Sequence, residues 1–269
     1  MKQDSPHFLE FVRYCNEYAS NGNEYSIAEA LIYHISDVSD ITINDIAEEA
    51  NTSVASVSRF IKKIGFNSLN ELKIKLPQEK NQYRYQMDMF FMKNNKDLNE
   101  EMLKDDLLDS AMANLKSTIN NLDNAKINRL IDMIFEADGI SFLGDSREVR
   151  AFFTLQLNLM TMNRPTFAFV NKMIGIHHLS MQKKGHLAIY FVLAKEWVSS
   201  EWKKAINAAH DKGVKIVIFS QDELDSDISS DLFISYGIPG SNNNGYYSLS
   251  ILCSLIYMFI MNRNEDLRI

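Results

Sequence analysis

Apolar positions in the first 76 residues recur at intervals of three and four, the period of packed helices. Phe8, Leu9, Phe11 and Val12, with Cys15, share one face. After the polar break Ser20-Asn21-Gly22-Asn23, Ser26 and Glu29 form an S-x-x-E capping box, which predicts a helix start there. Ile27, Leu31, Ile35 and Val38 continue a single stripe, with Ala30 and His34 on its flank. Thr42 and Asp45 repeat the capping pattern before a helix expected from about Ile43 to Ala50. Ala47 is small where a second helix must cross closely. Asn51 stands where a tight turn needs a residue that tolerates positive φ. Ser53 suits the cap of the next helix, whose buried face is expected to be Val54, Val57, Ile61 and Ile64, with Phe60 beside them. Lys62 and Lys63 suit its negative end and Gly65 its stop.

The pattern then changes twice. Pro77 to Asn99 is polar at both ends around an apolar island, Met87 to Met92, and reads as a linker with a docking or dimer contact, or as a helix packed on its own chain. From Glu100 to Ala137 two helical stripes follow. The first is Leu107, Leu108, Ala111, Leu115, Ile119 and Leu122. The second, after Asn124, is Ile127, Leu130, Ile131, Ile134 and Phe135. Beyond them short apolar runs alternate with helical segments. Ile140–Leu143, Thr166–Val170, Leu187–Leu193, Val214–Phe219 and Leu232–Tyr236 read as strands. Arg147–Met160, Ile174–Met181, Ser199–His210 and a closing segment from about Tyr246 read as helices. Such repetition predicts a parallel sheet covered on both faces. The expected organisation is residues 1–76 as one all-helical domain, 77–99 as linker and 100–269 as an α/β domain.

Composition narrows the function. Of 269 residues 46% are hydrophobic and 23% charged, an ordinary globular balance, and 10 glycines with 4 prolines exclude collagen-like and low-complexity architectures. The two cysteines, Cys15 and Cys253, cannot build a disulfide framework or a four-cysteine zinc site and point to a reducing cytoplasm. Tyr246–Met261 is apolar but short of the ~20 residues that span a bilayer, and a buried closing helix is the expectation. The formal charge of −7 excludes a uniformly basic coat but not a basic strip.

Such a strip exists. Between Ser58 and Lys75 the basic residues Arg59, Lys62, Lys63, Lys73 and Lys75 face one acid, Glu71, a local charge of +4. The two capped helices across Asn51 form a helix-turn-helix, and the second leaves Ala55, Ser56, Ser58, Arg59, Lys62 and Lys63 outward. Short polar side chains near a helix start let it approach base edges, and cations further along reach guanine edges or phosphates. Arg59 and Lys63 are the candidate guanine or phosphate contacts on double-stranded DNA. Ser53, Ser56 and Ser58 are the short polar contacts, and Lys62 steers toward the backbone. A dimer would set two such helices about one DNA turn apart on a palindromic operator.

The stretch DIAEEANTSVASVSRFIKKIGFNSLNELK, Asp45 to Lys73, resembles the amino-terminal domain of the RpiR family, bacterial helix-turn-helix regulators commonly of sugar metabolism. VSRFIKKIGF, Val57 to Phe66, followed by NELK, Asn70 to Lys73, carries the likeness. The resemblance implies that Val54–Ile64 is the recognition helix. It also implies that the second half is a sugar isomerase (SIS) domain, an α/β fold with a five-stranded parallel sheet flanked by helices that senses a phosphosugar.

In such sheets ligands bind at the carboxyl ends of the strands. The loops there are Gly144–Glu148 and Ala194–Ser200, and both run into helix starts that suit phosphate. The candidate effector residues are Gly144, Asp145, Ser146, Lys195, Ser199 and Ser200. This sequence departs from the SIS pattern. Asp145 and Glu148 add negative charge, and Val192, Ala194 and Trp197 stand where the second loop of the family carries hydroxyls. The resemblance therefore carries the fold over. It leaves open a sensor that binds another ligand, or none, and a phosphosugar bound in an altered way.

No metal or cofactor is expected. His177 and His178 are neighbours on a helix and point ~100° apart, a poor chelating pair, and His186 precedes a strand. Glu196, Glu201 and Asp145 have no carboxylate partner in the sequence that would make an isomerase, and no phosphate-binding or nucleophile motif occurs. The expectation is a non-enzymatic transcriptional regulator, a homodimer or homotetramer in the cytoplasm. The alternatives are a sugar-phosphate isomerase and a protein-interaction module with a retired helix-turn-helix.

Overall fold

The computed structural model describes residues 11–12, 15, 22–92, 99–144, 146–169, 172–193, 195, 198–240 and 242–263; for 82, 85–92, 146–148 and 242–244 it describes the backbone alone. The chain divides into two compact units, Met1–Asn94 and Asn95–Ile269.

The first unit is helical: α1 (Asn23–Tyr33), α2 (Ile43–Glu49), α3 (Val54–Lys63) and α4 (Leu69–Met92). Its core joins Phe11, Ile27, Leu31, Ile46, Val57, Phe60, Ile61, Phe66, Leu72 and Leu76. The Thr42–Asp45 box forms as the sequence predicts. The Thr42 amide donates to the Asp45 carboxylate at 2.8 Å and the Asp45 amide to Thr42 Oγ1 at 3.2 Å, and the Thr42 amide holds that carboxyl below its usual range. Ser26 and Glu29 do not form one. The N-cap of α1 is Gly22, four residues earlier, and the amides of Tyr25 and Ser26 donate to the Gly22 carbonyl, so Ser26 lies inside the helix. Val54 is likewise not buried; it is 40% exposed at the first position of α3.

The segment expected as linker starts as helix. α4 runs through Pro77 to Met92, because residues 78–92 contain no glycine and are mostly good helix formers. Its first half belongs to the domain core through Leu72 and Leu76, and Lys80 Nζ donates to the Ile35 carbonyl at 3.0 Å. The side chains of the Met87–Met92 island, and residues 93–98, lie outside the described ones.

The second unit opens with α5 (Glu100–Asn121) and α6 (Asn124–Glu136). It then alternates: β1 (Gly139–Leu143), α7 (Ser146–Ala151), α8 (Phe153–Thr161), β2 (Thr166–Phe169), α9 (Lys172–Met181), β3 (His186–Val192), α10 (Ser200–Asp211), β4 (Lys215–Ser220), β5 (Leu232–Ser235) and α11 (Asn242–Arg263). The sheet is parallel throughout, in the order β2-β1-β3-β4-β5. Alternate residues divide between two cores. Leu187, Ile189, Phe191, Val217 and Phe219 face α6, α7, α8 and α11. Ala188, Tyr190, Val192, Ile216 and Ile218 face α9 and α10, where Trp202 and Ile206 lie. Coverage on both faces is why these strands read as near-continuous apolar runs.

Two details differ from the pattern. The helix expected over Arg147–Met160 breaks at Phe152, whose ring stacks on Phe191 with centroids 3.6 Å apart. The stripe on α5 turns outward: Leu107, Leu108 and Ile119 are exposed, while Asn114 and Thr118 are buried. α11 is long and apolar enough to cross a membrane, and here it buries Leu249, Leu252, Ile256 and Ile260 against the sheet.

Candidate nucleic-acid interface and effector edge

α3 is shaped by its ends. Asn51 takes a φ of 46°, the left-handed conformation the turn requires, and the Thr52 amide closes back on the Ala47 carbonyl at 2.8 Å. Ala47 is buried at this crossing. Ser53 caps the helix by accepting the Ser56 amide at 3.2 Å. Four buried positions, Val57, Phe60, Ile61 and Ile64, then fix the outward face. Helical geometry centres that face on Ala55, Arg59 and Lys62, with Ser58 and Lys63 on its flanks.

The expected DNA contacts form two groups. Ser53, Ser56 and Arg59 are linked: the Ser53 and Ser56 hydroxyls lie 3.0 Å apart, and Arg59 Nη2 donates to Ser56 Oγ at 3.2 Å. Lys62 and Ser58 border a groove of about 350 Å³ shared with Ile43, Ile61, Asn67, Ser68, Leu69 and Asn70. Lys63 is drawn aside. Its ammonium pairs with Glu24 on α1 at 2.7 Å. Asn67 and Asn70 have no distinctive sequence signal, because isolated asparagines mark turns everywhere.

The one acid of the basic strip is occupied internally. Glu71 accepts from the Asn67 amide at 2.6 Å and Asn67 Nδ2 at 2.8 Å, and pairs with Lys75 at 2.5 Å. Lys75 and the Asn67 amide hold its carboxyl at about 2. His34 ties the end of α1 to α2: its Nε2 meets Glu49 at 2.9 Å and its Nδ1 meets Asp37 at 3.2 Å, so its pKa rises.

The carboxyl ends of the strands are at Leu143, Phe169, Val192, Ser220 and Ser235. Gly144 follows β1 directly and is buried. Ser146 opens α7, with its side chain outside the described ones, and Asp145, Glu148, Ala194, Glu196 and Trp197 also lie outside them in whole or in side chain. Lys195 is exposed. Ser199 is the N-cap of α10 and accepts the Trp202 amide at 3.3 Å, and Ser200 is the first, exposed residue of that helix. One residue of this edge escaped the sequence reading. Lys172, at the start of α9, is only 6% exposed and lies 3.8 Å from Glu201 in the first turn of α10. A single lysine after a short strand gives no pattern to find.

The histidines form a different site. Ser141 in β1 is hydrogen-bonded at 2.8 Å to both His178 Nε2 and His186 Nε2, and Gln182 Nε2 reaches His178 at 3.2 Å. Burial lowers the pKa of both imidazoles, that of His186 to about 4. Among the described residues no group of three or more histidine, cysteine or acidic side chains is placed to hold a metal.

The helix-turn-helix domain of the rpiR family matches residues 15–83. An uncharacterised HTH-type transcriptional regulator of Caldanaerobacter subterraneus subsp. tengcongensis is 23% identical over 79% of this chain and 75% of its own. One from Clostridium perfringens is 20% identical over 77% and 73%. Among solved structures, the Vibrio vulnificus NanR protein complexed with ManNAc-6P superposes with a TM-score of 0.54 at 16% identity, covering 95% of this chain and 93% of that one. The sugar isomerase domain of an RpiR transcription factor from Sphaerobacter thermophilus gives 0.52 at 16% identity, covering 61% and 92%. The amino-terminal unit is thus a helix-turn-helix domain of the RpiR family, followed by an α/β domain with the fold of the sugar isomerase domains.

Proposed function

We propose that the chain is a sequence-specific transcriptional regulator that reads double-stranded DNA with α3. The observation that carries this reading is the outward face of α3. A capped helix start bears Ser53, Ser56 and Arg59 in one hydrogen-bonded chain, and Lys62 stands one turn further on. Ser53, Ser56 and Ser58 supply short polar contacts where base edges approach closely, Arg59 and Lys63 reach guanine edges or phosphates, and Lys62 steers toward the backbone. The protein acts in the cytoplasm as a homodimer or homotetramer on a palindromic operator. Residues 100–269 then form the sensing and dimerising domain, with binding in place of isomerase turnover. The HTH-type regulators that align over most of the chain support this division.

The effector of this reading is a phosphosugar or related anionic metabolite at the carboxyl edge of the sheet, met by the loop of Gly144, Asp145 and Ser146 and by Lys195, Ser199 and Ser200. NanR, of similar fold, was solved with ManNAc-6P. Lys172, buried beside Glu201, adds a cation to that edge. Such a ligand changes DNA binding only as far as it prefers one arrangement of the domains. The test is enrichment of genomic fragments by the purified protein. The reading expects a recurrent palindrome in the wild-type pool, depleted by an effective phosphosugar. No enrichment at low salt overturns it.

A further inference from the structure

α3 begins with an apolar side chain in water. Val54, its first residue, is 40% exposed and stands outside the core of the domain. Among the described residues of α2 and α3 it is the one large apolar side chain so exposed. Its neighbours Ser53, Ala55 and Ser56 are compact and uncharged, and the first turn of α3 carries no acid. Helix starts ordinarily favour an acid there, because the macrodipole is positive at that end. A capped start without one is open to a polyanion, and Val54 gives its tip apolar surface that a partner can cover.

The position follows from helical geometry. Val54, Ser58 and Lys62 lie four residues apart, on one row that borders the outward face of α3. Side chains lean toward the amino end of a helix, so Val54 leans toward the tip. A recognition helix enters the major groove by that end, with its first residues on base edges. The row then runs outward from the floor of the groove: two methyl groups at the tip, a hydroxyl one turn back, and an ammonium two turns back at the phosphates.

We infer that Val54 reads the C5-methyl group of a thymine and so determines specificity at that base pair. The inference rests on the DNA reading proposed above and adds a base to it. The thymine methyl is the one apolar group on the major-groove edges of the four bases; the rest are hydrogen-bond donors and acceptors. A valine side chain offers a phosphate no donor. Against a cytosine it would cover an amine that it cannot accept from, which costs affinity for the wrong base. Arg59 stands five residues further on, about 7.5 Å along the helix, so the thymine falls about two base pairs from a guanine read by Arg59.

The test replaces single thymines of the enriched palindrome by uracil, which removes the C5-methyl and no hydrogen-bonding group. Affinities of the full chain are measured by fluorescence anisotropy. Wild type is expected to lose about fourfold at one thymine of the half-site, the transfer value of one buried carbon. Val54→Ala is expected to bind the thymine and uracil duplexes equally, and its enriched pool to lose the preference for thymine at that position alone. Val54→Ser also removes both methyl groups and is expected to behave in the same way, so it decides the matter if the alanine variant does not fold by circular dichroism. A palindrome with no uracil-sensitive thymine overturns the assignment, as does a thymine whose response is the same in wild type and the Val54 variants. The two readings fail separately. An enriched palindrome without a methyl response removes Val54 alone, and no enrichment at low salt removes the regulator reading and this assignment with it.

Discussion

Arg59 Nη2 donates to Ser56 Oγ at 3.2 Å, and that hydroxyl lies 3.0 Å from Ser53 Oγ. The guanidinium is thus ordered across the outward face of α3 before any partner arrives. Part of the rotamer entropy that a long side chain loses on binding is already spent. Ser56→Ala is expected to leave the fold unchanged and weaken operator binding by about threefold, less than removal of the guanidinium. Fluorescence anisotropy on an operator duplex measures it. An unchanged affinity shows that the contact has no part in recognition.

Lys62 and Lys63 are adjacent and inequivalent. Lys63 is held by Glu24 at 2.7 Å, so a phosphate must compete with a carboxylate for it. Lys62→Ala should lower the salt dependence of binding by about one unit of slope, and Lys63→Ala by less. Glu24→Gln should strengthen DNA binding a few-fold by releasing Lys63. Titrations between low and physiological salt give all three values, and equal slopes for the two lysine variants contradict this account.

The histidines predict opposite responses to pH. Burial lowers His186 to about 4, so below the ordinary histidine value of 6.5 the unfolded chain takes up a proton that the fold refuses. The stability of the α/β unit should therefore fall as pH drops from 6.5 toward 4, by roughly 3 kcal/mol from His186 at the lower limit. His34 behaves in reverse. Its pKa is raised, first by Glu49 and then by Asp37, so its contribution is complete below 6.5 and is lost as pH rises through its folded value. Imidazole resonances followed from pH 4 to 8 should show His186 neutral at pH 5.5 and His34 protonated there. His186→Gln should flatten the acid slope of unfolding.

Ser199 carries a structural bond that its neighbour Ser200 lacks. Ser199 accepts the Trp202 amide as the cap of α10, so Ser199→Ala should destabilise the α/β unit by about 1 kcal/mol with or without ligand. Ser200→Ala has no cap to lose. It should leave thermal stability within error and weaken the binding of an effective phosphosugar, measured by calorimetry. A Ser200→Ala variant that binds as wild type removes Ser200 from the effector site.

What the sequence made legible follows physical lines. The inner strands were readable because burial on both faces leaves uninterrupted runs such as LAIYFVL, 187–193. The helix-turn-helix was readable because its turn and caps are local chemistry: Asn51 has its positive φ, Thr42–Asp45 its box and Ser53 its cap. Ser26–Glu29 is also a capping-box pattern and forms no box, since the helix begins earlier, at Gly22. α5 misled in another way. Periodicity finds an apolar stripe but not what faces it, so Leu108 and Ile119 read as core although Asn114 and Thr118 take the inner positions. Partnerships across long sequence gaps, Lys63 with Glu24, Lys172 with Glu201 and Ser141 with His178 and His186, have no sequence signature.

If α3 reads a DNA sequence, Arg59 on its outward face is the residue whose loss shows it most directly. The direct measurement is the affinity of wild type and Arg59→Ala for the enriched palindrome and for a scrambled duplex, over a range of salt. Wild type is expected to prefer the palindrome by at least about a thousandfold at physiological salt. Arg59→Ala should lose about tenfold or more on the palindrome and little on the scrambled duplex. Equal loss on both duplexes, or no loss on either, contradicts the assignment of α3 as the reading helix.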